Sequence, residues 1–107
     1  MNIISEHSQL VTTEYGCYWL KYELLEYGAA DEKDPEREGE NGRYYGMRVC
    51  QVEERSRRLF DICQVRGITE EMEAAKSLFL KAVKGLVMPV SLQDFIDDWQ
   101  TACSMVY

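Results

Sequence analysis

The sequence has a single histidine, His7, and its four cysteines, Cys17, Cys50, Cys63 and Cys103, form no C-x-x-C pair. That spacing offers zinc no ligand set, and a histidine-based nucleophile lacks its partners when the one imidazole lies near the amino terminus. No G-x-S-x-G, P-loop or G-x-G-x-x-G segment occurs, which removes the common hydrolase, nucleotide-binding and dehydrogenase templates. No apolar run approaches the ~20 residues of a bilayer span. The start, Met1-Asn2-Ile3-Ile4-Ser5-Glu6-His7, lacks the basic and apolar regions of a secretory signal. The expectation is a cytoplasmic protein with no membrane association, no metal and no cofactor. Its thiols should be reduced and packed as small hydrophobes, three in strands and Cys103 on the apolar side of a helix.

What is present suits one globular domain over residues 1–107: hydrophobic residues make up 46% of the chain and charged ones 29%. Residues 8–27 and 43–66 carry β-branched and aromatic side chains with partial alternation, whereas 69–84 and 91–105 repeat apolar residues at helical spacing. Gly16 divides a short first strand, Leu10 to Thr13, from a second, Cys17 to Tyr27. The polar turn Glu54-Arg55-Ser56-Arg57 joins Arg43–Glu53 to Arg58–Val65 as a hairpin. Strands come first and helices last, so the expected fold class is α+β, an antiparallel sheet of about four strands with two C-terminal helices packed on one face.

Residues 28–42 bring six acids, two bases, three glycines and a proline but only two alanines for a core, and read as a mobile acidic loop. Thr69 is placed to cap the first helix, whose stripe is Met72, Ala75, Phe79, Ala82 and Val83. Ser91 with Asp94, flanked by Val90 and Phe95, fits a capping box and staple at the second helix, whose inward residues are Phe95, Ile96, Trp99, Ala102 and Cys103. Asp94, Asp97 and Asp98 share a helix face, which helix-dipole and solvation preferences explain without a cation.

Net charge is −7, which repels a phosphate backbone, and no direct nucleic-acid binding is expected. Residues 43–66 nevertheless hold six arginines against three acids, with Arg55, Arg57 and Arg58 together at the hairpin turn. In the second strand Tyr18, Leu20, Tyr22 and Leu24 alternate with Trp19, Lys21, Glu23, Leu25 and Tyr27, so both faces of the sheet are rich in large groups. A solvated face would show a cleaner polar row. Trp19, Tyr44 and Arg48 are therefore candidate contact residues on the face away from the helices, together with Arg55, Arg57 and Arg58 at the turn; the alternative is that the amino-terminal segment or the long loop folds over that face and covers it.

Tyr45-Gly46-Met47-x-Val49, followed by Val87-x-Pro89-Val90-x-Leu92-x-Asp94-x-x-x-Asp98, resembles a family of small uncharacterised bacterial proteins found mainly in Gram-positive anaerobes. The resemblance spans about half of the chain. It implies a bacterial cytoplasmic protein and brings no catalytic residue. The functional expectation is a small protein-binding or regulatory module without catalysis of its own, its partner an unidentified protein or a second copy. The alternative is an acidic inhibitor that imitates nucleic acid in the basic cleft of a nuclease or polymerase.

Overall fold

Each strand pairs with its neighbour in sequence, and that alone generates the sheet. The computed structural model describes residues 1–28 and 43–104. Strands β1 (Asn2–Thr13), β2 (Gly16–Gly28), β3 (Arg43–Glu53) and β4 (Leu59–Thr69) form one antiparallel sheet in the order β1-β2-β3-β4. Helices α1 (Met72–Lys84) and α2 (Pro89–Ser104) follow and pack together on one face, the α+β arrangement expected from the sequence. Neither helix is long and apolar enough to cross a membrane. The acidic segment expected to be a loop falls, from residue 29 to 42, outside the described residues.

The covered face is a continuous core. Leu20, Tyr22 and Leu24 of β2 and Tyr45, Met47 and Val49 of β3 meet Ala75, Leu78, Phe79 and Ala82 of α1 and Leu92 and Ile96 of α2. Period two in the strands and a helical stripe above them produce this layer, in which burying each large side chain contributes about 1.5–3 kcal/mol. The amide of Gln100 on α2 also donates to the carbonyl of Ile68 on β4 at 3.3 Å.

Several local expectations are corrected. Strand β1 begins at Asn2 rather than Leu10, because an edge strand is held by backbone pairing to β2 and needs no apolar alternation at Ser5 to Gln9. Strand β4 continues to Thr69 through an irregularity opposite Gly46, where Gly67 takes φ 64°. Gly46 is required there: a Cβ would stand 2.5 Å from the Val65 carbonyl oxygen and 3.1 Å from the Tyr27 ring. The Thr69 hydroxyl accepts from the Glu71 amide at 3.1 Å, but the helix cap itself is Glu71, without a side-chain capping bond. Helix α2 starts at Pro89, not after Ser91, and the Ser91 amide donates to the Met88 carbonyl. Proline's fixed φ and missing amide suit the first helical position, so the capping box of Ser91 and Asp94 does not form and Val90 lies exposed. Cys103 is exposed together with Thr101 and Ala102, so it does not lie on the apolar side of α2 as expected; Cys17, Cys50 and Cys63 are half-buried.

Candidate binding face

Strand register arranges the face away from the helices into rows that cross the sheet. Leu10 pairs with Trp19, Trp19 with Val52, and Val52 with Leu59, so one row is apolar across all four strands. The next row is Ser8, Lys21, Cys50 and Ile62, and the one after it Glu6, Glu23, Arg48 and Gln64. Leu10 is 43%, Leu59 56% and Ile62 48% exposed, while Trp19 and Val52 between them are half-buried. Directly opposed β-branched, aromatic and aliphatic side chains support one another across a sheet, but they still leave their outer surfaces to solvent.

The charged row has its own internal solution. Arg48 Nε donates to Glu23 Oε1 and Nη2 to Glu23 Oε2, each at 2.8 Å, and both side chains are mostly withdrawn from solvent. The fork is possible because the two residues are direct cross-strand partners. Hydrogen bonding to Glu23 holds the guanidinium above its ordinary pKa, against the opposing effect of desolvation. Burial, and then the Glu23 charge, push the neighbouring Cys50 thiol up. Burial and then Asp61 do the same to Cys63, so both thiols are shifted opposite to an activated nucleophile.

At the far end of this face lies a closed aromatic cluster. The rings of Tyr27 and Tyr44 stack with centroids 5.1 Å apart and planes 8° from parallel. The Arg66 guanidinium sits 5.0 Å over the Tyr27 ring, and the Gln64 amide donates to the Tyr27 hydroxyl. With Leu25 these tyrosines form a second small buried cluster.

Of the residues expected to make contacts, Trp19, Tyr44 and Arg48 do share the face away from the helices. Their environments differ. Trp19 lies in the apolar row; Arg48 is committed to Glu23; Tyr44 is only 6% exposed and stacked, so it supports the sheet and offers little to a partner. Arg55, Arg57 and Arg58 are exposed at the β3–β4 turn, as the polar tetrapeptide implied, with Arg57 at φ 61°. They lie at the end of the sheet and do not join the charged row. Sequence reasoning missed Leu10, Leu59 and Ile62 as members of the face. A register shift opposite Gln51 and Val52 offsets Leu59 from simple alternation, and only the pairing reveals the row.

Among the described residues the face is also nearly neutral. Glu6 and Glu23 stand against Lys21, Arg48 and Arg66, in a chain of net charge −7.

Among curated proteins and among solved structures, none matches this chain. A family model does, over residues 1–102, and it includes every strand and nearly all of both helices. By that match the chain belongs to DUF6514, a family of unknown function.

Proposed function

We propose that this protein is a small binding module without chemistry of its own, that it works in the bacterial cytoplasm, and that it associates with a second copy of itself through the uncovered face of its sheet. The observation that carries the reading is the apolar row Leu10-Trp19-Val52-Leu59, which no described element covers, on a sheet whose other face carries two helices. An apolar strip is complementary to itself, which is what an isologous two-fold contact needs. Charge favours the same occupant: chains of net −7 repel one another over most of their surface, whereas this face balances its acids and bases. The cytoplasmic assignment is supported by four free thiols. Imitation of nucleic acid has less support, since a near-neutral face and the exposed arginines at 55, 57 and 58 interrupt any acidic surface.

Sedimentation equilibrium of the wild type and of a Leu10→Asp, Leu59→Asp double variant tests the reading. Both positions are well exposed, so the variant is expected to keep its fold. A concentration-dependent dimer in the wild type and a monomer in the variant is the expected result. A wild type that stays monomeric at about 100 μM, a concentration that populates any contact of micromolar affinity, would contradict it.

A further inference from the structure

On the helix side of the sheet, beyond the helices, the strand ends and the α1–α2 connection bound a cleft of about 690 Å3. It is lined by Thr13, Glu14, Tyr15, Tyr18, Gln51, Phe60 and Met88. Three aromatic residues line it, and the two that are exposed, Tyr15 and Phe60, are placed by local features. Tyr15 occupies the tip of the β1–β2 hairpin, where the Thr13 hydroxyl accepts from its amide at 3.1 Å, and its side chain is 83% exposed. Phe60 lies at the register shift in β4, 62% exposed, with its ring 5.2 Å from that of Tyr18 and tilted by 56°. Tyr18 is itself buried at 6% exposure and backs Phe60, so Tyr15 and Phe60 supply the accessible aromatic surface. Among the described residues Glu14 is the one charged residue of the lining, and Arg55 and Arg58 belong to adjoining clefts that share Tyr15 and Phe60.

We propose that this cleft binds a small methylated ammonium cation. Aromatic faces carry negative potential, and a tetraalkylammonium group presents a broad positive surface with no N–H donors that would need partners. Such a group therefore asks for rings and a nearby carboxylate, which is the set present at the exposed Tyr15 and Phe60 with Glu14. An anion would meet Glu14 as the one charged group of the described lining, and the net charge of −7 disfavours it further. The thioether of Met88 adds a polarizable contact at the side. This site is separate from the sheet face and does not depend on self-association.

The test is titration of the full-length protein with choline chloride at low salt, followed by the aromatic NMR resonances of Phe60, alongside the uncharged isostere 3,3-dimethylbutan-1-ol. Saturable shifts with a Kd on the order of millimolar are expected, which is what a few exposed cation–π contacts supply. The isostere should bind at least about fivefold more weakly, and Phe60→Ala should weaken choline by about three- to tenfold. Glu14→Gln should weaken it about twofold, an effect that salt removes. Phosphatidylcholine vesicles separate the two sources of this chemistry. Sedimentation with vesicles, reversed by free choline, assigns a lipid headgroup, and saturation by choline without vesicle binding assigns a free solute. Shifts that never saturate, an isostere that binds as tightly as choline, or a folded Phe60→Ala that binds like the wild type would overturn the proposal.

Discussion

The two faces of the sheet are built from the same strands and have opposite fates. On the helix side, Leu20, Tyr22, Leu24, Met47 and Val49 are sealed under α1 and α2. On the other, Trp19, Val52, Leu10 and Leu59 form a row of comparable apolar content that nothing among the described elements covers. The covered face is explained by stability alone. The open one keeps its apolar row where stability would permit polar residues, and that difference is the physical basis for assigning it to association.

The contrast is sharpest when the same truncation is made on each side. Leu20→Ala should cost about 2–5 kcal/mol in denaturant unfolding, the range for emptying a sealed site, whereas Leu59→Ala in a dilute monomer should change stability by no more than about 0.5 kcal/mol. Equal losses at the two positions would mean that the open face is packed after all.

Gly46→Ala comes next, because it presses on the closed end of the open face. The added methyl would meet the Val65 carbonyl, a backbone atom that cannot rotate away, and a loss of about 1–3 kcal/mol is expected from the midpoint of urea unfolding. Arg48→Met should cost a similar or smaller amount, about 1–2 kcal/mol, by leaving the Glu23 carboxylate half-buried without its partner. Restoring neutrality with Glu23→Gln in the same chain should recover part of it, which a double-mutant cycle reads directly.

How much of this was legible before the structure depends on what each feature needs. The alternation of Tyr18 to Tyr27 needs only period two, and the burial of Leu20, Tyr22 and Leu24 follows it residue by residue. The bounds of β3, Arg43–Glu53, were equally readable. Residues 2–9 were not, since Ser5-Glu6-His7-Ser8-Gln9 carries no apolar signal and is ordered through backbone pairing on one side. The capping signal at Ser91 is overridden by Pro89, which starts the helix earlier, and both signals occur within three residues. The apolar row depends on register across three strand pairs and on a shift near Phe60, neither of which has a sequence mark, so Trp19 could be picked out while Leu59 could not. Tyr44 was chosen by residue type, and the stack with Tyr27 that buries it is a cross-strand relation.

The smallest effect concerns the buried hydroxyl of Tyr22, which has no hydrogen-bond partner among the described residues. Burial pushes its pKa up from 10.0 to about 12, so the folded state keeps the phenol neutral where the unfolded chain ionises. Stability from this group is intact below pH 10.0 and is lost as pH rises towards about 12. Tyr22→Phe should be neutral or slightly stabilising at pH 7, by up to about 1 kcal/mol, and should flatten the alkaline decline in melting temperature. A clear destabilisation at neutral pH would show that the hydroxyl is satisfied.

The central claim, that the uncovered sheet face is where the molecule associates, is tested most directly by a dilution series of backbone and indole amide NMR spectra on the isotope-labelled protein. Resonances of Leu10, Trp19, Val52, Leu59 and Ile62 should move together with concentration while those of α1 and α2 stay fixed. Spectra that do not change with concentration, or changes confined to the helices, would contradict it.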